Sequence, residues 1–189
     1  MKGARGWTIA GMPQMFDTPD KDPRVDPPEL GGEAEVLSGF LRYQRTTLEL
    51  KCSGLSAEQM ARRAVEPSSL SLLGLLRHMA DVERVWFRVV MAGTEAAPHF
   101  WSKEENDADF DNVAADEEMV RDAWTRWREE VAFADRFVEE APSLGTVGKD
   151  PRGGEVSLRW AMAHMVEEYA RHNGHADLLR EAIDGTVGE

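Results

Sequence analysis

The sequence predicts an all-α fold: a four-helix bundle with long connecting loops and an extended N-terminal arm. Three observations carry that prediction. Four long segments repeat their apolar residues at helical spacing. No segment alternates convincingly enough for a strand. At 189 residues, with 42% apolar and 30% charged, the chain has the material for one sizeable core. We divide it into an arm, residues 1–30, and a bundle domain, residues 31–189.

The arm holds Pro13, Pro19, Pro23, Pro27 and Pro28. Each proline fixes φ and removes a donor, so the arm is extended rather than helical. Trp7, Ile9, Met12 and Phe16 are its expected anchors. The first long helix runs from Glu33 to about Lys51 on Val36/Leu37, Phe40/Leu41 and Thr47/Leu48, and Ser53-Gly54 ends it. Ser56 opens a short helix as a capping residue. The second long helix starts at Ser69 or Ser71 and stops at Gly93, with an inward stripe of Leu72, Leu75, Met79, Val82, Trp86 and Val89. Residues 94–115 form an acidic loop carrying Phe100, Trp101 and Phe110. The third starts at Asp116, whose neighbouring acids suit a helix N-terminus. Its apolar residues Val120, Trp124, Trp127, Val131, Ala134 and Val138 step by 4, 3, 4, 3, 4. Residues 143–156 are glycine-rich and read as a loop with room for a short hairpin. The last helix spans Ser157 to Ile183, ended by Asp184-Gly185. Trp86, Trp124, Trp127 and Trp160 read as core. Gly174 inside the last helix reads as a point of close helix approach.

Composition removes several functional classes. A net charge of -13 argues against nucleic acid and anionic membranes as partners. One cysteine excludes a disulfide framework, a cysteine-based zinc finger and a CxxC redox motif, and fits a reducing compartment. With no signal-like or membrane-spanning run, the expected location is cytoplasmic and the expected partner a small molecule.

The last helix breaks its own pattern. One inward column reads Leu158, Met165, His172, Leu179; its companion reads Ala161, Glu168, His175, Ala182. Histidine and glutamate at core positions need partners or a metal, because burying an unpaired carboxylate is costly. Glu168 and His172 are one turn apart, and His164 lies one turn further along the column. His78 lies at the edge of the second helix's inward face. If those helices are neighbours, His78, Glu168 and His172 can meet inside the bundle and bind a divalent metal with positions left open. The competing reading is a hydrogen-bonded Glu–His core pair. Asp107, Asp109, Asp111 and Glu118 match several calcium-loop positions, but Asn112 stands where that loop needs glycine, so a solvated acidic loop is expected. Cys52 reads as an inert thiol.

The segments SSLSLLGLLRHMADVERVWF and LRWAMAHMVEEYARHNGHADLLREAIDG resemble the DinB-like superfamily. Within it they are most similar to the mini-circle proteins and the mycothiol-dependent enzymes. The resemblance covers about Leu30 to Gly185 and implies a four-helix bundle with a central divalent metal. Many members use three histidines; here the first of the last-helix pair is Glu168. The related mycothiol-dependent maleylpyruvate isomerases use His, Glu and His. That implies His78, Glu168 and His172 as ligands, with His164, His175 and Arg171 left for contacts to the ligands or the substrate. Arg152 and Arg159 are further candidates for thiol contacts.

The resemblance thus implies a metal-dependent thiol transferase or isomerase of the mycothiol type. Its cofactors are a divalent metal, zinc first and nickel, iron or manganese compatible, and a low-molecular-weight thiol. The alternatives are a metal-dependent hydrolase, with an iron oxygenase as a less favoured version of the two-His-one-carboxylate set, or a non-catalytic metal- or ligand-binding protein. A homodimer is expected, as dimers are frequent in the superfamily.

Overall fold

Three of the four long helices begin where a side chain can accept otherwise free N–H groups. Ser71 accepts from Gly74, Asp116 from Glu118 and Met119, and Ser157 from Trp160. Ser56 and Gln59 form a reciprocal capping box. The computed structural model describes Met15 and residues 21–188. Its elements are α1 (Glu33–Cys52), α2 (Ala57–Ala61), α3 (Leu72–Glu83) running directly into a π-helical segment (Arg84–Met91), α4 (Ala108–Asp111), α5 (Glu117–Glu140), β1 (Val147–Asp150), β2 (Gly154–Ser157) and α6 (Leu158–Asp184). Gly93 and Gly185 stop their helices at φ +65° and +78°, a region that suits glycine.

The bundle is built from α1, α3, α5 and α6. α1 lies along α6, α3 lies along α5, and α3 also meets α6. Leu48, Leu72, Leu73, Leu75, Leu76, Met79, Phe87, Leu158, Met165 and Tyr169 are fully buried between them. Each large side chain taken from water in this way contributes about 1.5–3 kcal/mol. β1 and β2 pair antiparallel, Val147 opposite Ser157, and the hairpin sits on the π-helical segment. A Cβ on Gly148 would lie 2.4 Å from the Val90 carbonyl oxygen, so only glycine fits there. Pro27 and Pro28 are laid against Gly39 of α1, where a Cβ would come within 2.7 Å of Pro28 Cδ. The arm's expected anchors Trp7, Ile9, Met12 and Phe16 lie outside the described residues.

Several packing expectations are corrected. The π-helical segment uses i→i+5 bonds, such as Ala92 N–H to Phe87 O at 3.0 Å. This wider turn slips the period, so Val90 is buried where the α-helical stripe calls for Val89. Phe40 and Trp160 are 45% and 47% exposed, because α1 and the start of α6 turn those positions outward. Ala182 of the companion stripe is also exposed. Gly174 is exposed, and among the described residues a Cβ there would meet nothing within 4 Å beyond its own helix backbone, so no neighbouring helix approaches it. On α5 the buried line is Ala123, Trp127, Glu130 and Ala134, flanked by Val120, Trp124, Val131 and Val138.

A buried polar network ties the four helices together. Glu83 is 0% exposed and accepts from Arg45 Nε at 2.6 Å, Arg45 Nη2 at 2.7 Å and the Tyr169 hydroxyl at 2.7 Å. Tyr169 in turn accepts from Trp127 Nε1 at 2.9 Å, and Arg45 reaches Asp135 at 2.7 Å. Arg45, Glu83, Trp127 and Tyr169 come from α1, α3, α5 and α6 respectively. The network therefore fixes the relative rotation of all four, and with it the residues one turn away that form the site.

Candidate metal centre

His78 projects from α3 in the turn before Glu83. Glu168 and His172 project from α6 on either side of Tyr169, so the network that seats Glu83 and Tyr169 brings these three together. One donor atom of each lies within 4.8 Å of the others. The rings of His78 and His172 meet edge-on, centroids 4.7 Å apart. His172 Nε2 stands 3.5 Å from Glu168 Oε2, longer than the 2.7–3.2 Å of an ordinary N–H···O bond. These groups converge without saturating one another.

The protonation of His172 suits ligation. Burial first, then the neighbouring charges of His78, His175 and Arg171, push the His172 pKa from 6.5 down to about 3. Its ring is therefore neutral across the physiological range, as a metal-ligating imidazole must be. His78 Nδ1 is held at 2.8 Å by Asp109 Oδ2, which leaves Nε2 as its free nitrogen. Asp109 is 3% exposed, which corrects the reading of a wholly solvated acidic loop. Its α4 turn folds the carboxylate inward onto His78, while Asp111 faces Arg63 at 3.7 Å.

The other expected residues divide. His164 packs beside the cluster, its Nε2 3.4 Å from Glu168 Oε1 and its ring stacked on Trp160 at 5.0 Å. His164, Glu167 and Glu168 form a second group of converging donors. His175 Nδ1 lies 3.4 Å from His172 Nδ1. Arg171 is exposed and paired with Glu167. Arg152 and Arg159 are engaged by Asp150 and Glu33 on the surface; none of these arginines lines the cavity at His78. Cys52 is buried, and burial pushes its pKa up to about 12, so its thiol is inert.

That cavity measures about 330 Å³ and is walled by His78, Val82, Val85, Trp86, Trp101 and Phe110, with Asp81, Asn106, Asp107 and Asp109 among its polar groups. A larger groove of about 480 Å³ runs between α1 and α5 and touches none of the three converging residues. The loop over the smaller cavity is tied down by buried acids that sequence reading missed. Asp81 accepts the backbone N–H of His99 and, at 2.9 Å, of Phe100. Glu130 accepts from Arg84 at 2.8 Å, from Arg88, and from His99 at 3.0 Å. The sequence signal for Glu130 is its position, three residues after Trp127 on the inward line of α5.

Comparison with known proteins agrees with this architecture. A family model described as mycothiol-S-transferase matches residues 36–185. Among solved structures, a conserved protein from Enterococcus faecalis superposes with a TM-score of 0.55 at 15% identity. The match covers 82% of this chain and 99% of the other, and at that identity the likeness is one of fold alone. No curated protein matches. No described helix is long and apolar enough to cross a membrane. By its match over most of its length, the chain belongs to the mycothiol-S-transferase family, within the DinB-like superfamily.

Proposed function

We propose that this protein is a divalent-metal-dependent thiol S-transferase, with a mycothiol-type thiol as co-substrate and His78, Glu168 and His172 as the metal ligands. The observation that carries the proposal is the convergence of these donors beside an aromatic-walled cavity, with His172 held neutral and His78 fixed by Asp109. The donor set fits: two imidazoles and one carboxylate suit zinc first, with nickel, iron and manganese compatible. When bound, the metal supplies a positive charge that favours the thiolate, the nucleophilic form of a thiol whose free pKa is about 8.5.

The chain's own residues do the rest. Asp109 accepts a hydrogen bond from His78 Nδ1–H and so orients the ring. His164 and His175 flank Glu168 and His172 and restrict their rotation. Trp86, Trp101 and Phe110 keep water from the reacting sulfur. In the overall transfer the thiol proton passes to solvent, a carbon–sulfur bond forms, and the leaving group departs with its bonding electrons. The proposal includes a homodimer, supported by the family resemblance, and a reducing compartment, supported by a single cysteine that is buried.

Elemental analysis of untagged protein tests the site. About one metal per chain is expected, with His78→Ala, Glu168→Ala and His172→Ala each losing it. Thiol consumption with an electrophile should then depend on the metal. Equal rates for metal-loaded and chelated protein would overturn the transferase reading, and full metal content in the His172→Ala variant would overturn the ligand set.

A further inference from the structure

The cavity beside His78 joins aromatic walls to acidic groups. Its walls are aromatic: Trp86, Trp101 and Phe110. Beside His78 and Asn106, its polar groups are the acids Asp81, Asp107 and Asp109, and among the described residues no lysine or arginine lines it. The nearest arginines lie outside the lining and turn their hydrogen-bond donors onto other groups. Arg77 donates to the carbonyls of Asn112 and, at 3.1 Å, Ala108, and lies over the Phe100 ring. Arg84 and Arg88 are both turned onto Glu130. The Trp86 face continues outward through Trp160, whose ring lies 5.1 Å away and is 47% exposed.

Electron-rich indole faces attract cations, and carboxylates around them strengthen that attraction and repel anions. A divalent metal on His78, Glu168 and His172 adds two positive charges, and Arg77, which interacts with Asp81 and Asp109, adds a third, but Glu168, Asp81, Asp107 and Asp109 oppose them with four negative ones. A thiolate brings one more. The cavity therefore stays negative when loaded.

We propose that this cavity is the subsite for the electrophile, and that it selects ring-bearing substrates that carry a positive charge over those that carry carboxylates or sulfonates. The inference rests on the transferase reading for the word electrophile, but the charge selection stands on the cavity alone.

Ligand-detected NMR titrations of the protein as purified, with its metal content assayed in parallel, read this directly. The probes are phenyltrimethylammonium, benzyl alcohol and benzenesulfonate. The cation should bind at least about tenfold more tightly than the sulfonate at low salt, with the neutral probe between, and the gap should shrink when ionic strength is raised. Asp107→Asn should narrow the gap, because Asp107 is exposed at the mouth and its loss disturbs no core packing. Trp101→Leu should weaken the cation several-fold, whereas Trp86→Phe, which keeps a ring, should weaken it less. Equal affinities, a preference for the sulfonate, or no binding of any probe would overturn the inference. Absence of metal and of thiol turnover, with the cation preference intact, would instead overturn the transferase reading.

Discussion

Two polar clusters share α3 and α6, and they are built in opposite ways. Around Glu83 every contact is short. Its oxygens take three hydrogen bonds of 2.6–2.7 Å and the carboxylate is 0% exposed. One helical turn away, Glu168 faces His172 and His164 at 3.5 and 3.4 Å, and His78 and Glu168 are only partly buried. The first cluster is saturated and closed, so it acts as a structural tie. The second is unsaturated and opens beside a cavity, so it has capacity left for a ligand. Buried charge alone does not mark a functional site; incomplete mutual satisfaction does.

The largest expected effect comes from opening the closed cluster. Glu83→Ala leaves Arg45 charged and buried, with only Asp135 beside it, and should destabilise the fold by about 3–5 kcal/mol in chemical denaturation. An Arg45→Leu/Glu83→Leu double variant should lose less than Glu83→Ala. If the single variant proves no worse than the double, Glu83 is not the tie described.

Next is Asp109→Asn, which acts on the open cluster through its support. The amide cannot anchor His78 as an anion does, so metal affinity should fall about 10–100-fold in a competition titration, with little change in metal-free stability. An unchanged affinity would show that His78 needs no orienting partner.

Glu130 is a middle case: 2% exposed and satisfied by Arg84, Arg88 and His99. Burial raises its pKa, but the hydrogen bonds from His99, Arg88 and Arg84 outweigh this and hold it below the usual 4.5. With the folded pKa depressed, its stabilisation is present above the unfolded value and is lost as pH falls through the folded one. The urea midpoints of wild type and Glu130→Gln should therefore differ most near neutral pH and converge on acidification. A gap independent of pH between 7 and 3 would contradict this.

The smallest effect belongs to the exposed back of α6. Gly174→Ala meets no atom within 4 Å and should stabilise by up to about 1 kcal/mol, with metal content unchanged. Destabilisation there would mean that α6 needs backbone freedom beside His172 and that the open cluster is not rigidly held.

Much of this was readable in one dimension. The helical period marked the four long helices. Ser71, Asp116, Ser157, Gly93 and Gly185 marked ends of three of them, and Ser56 the start of the short α2. Histidine and glutamate on the inward columns of the last helix flagged Glu168, His172 and His175, because those residue types are anomalous at core spacing, and the family resemblance chose Glu168 and His172 among them. Asp109 could not be found this way. In an acidic loop one aspartate looks like its neighbours, and only the α4 turn carries it onto His78. Arg45, Glu83 and Glu130 escaped for a similar reason, since charged residues on a helix read as solvent-facing until a partner on another helix is in place. Val90 replaced Val89 because a π-helical turn leaves no local signature in composition.

The sequence alone determined which segments are helices, where they stop, and which residue types interrupt the core, because these follow from local backbone preferences and from periodicity. The tertiary structure decided which interruptions are closed and which stay open, and on which side the cavity lies. That depends on how α1, α3, α5 and α6 are rotated against one another, and the rotation is set by long-range contacts such as Arg45–Glu83 and Tyr169–Trp127 that no local pattern encodes.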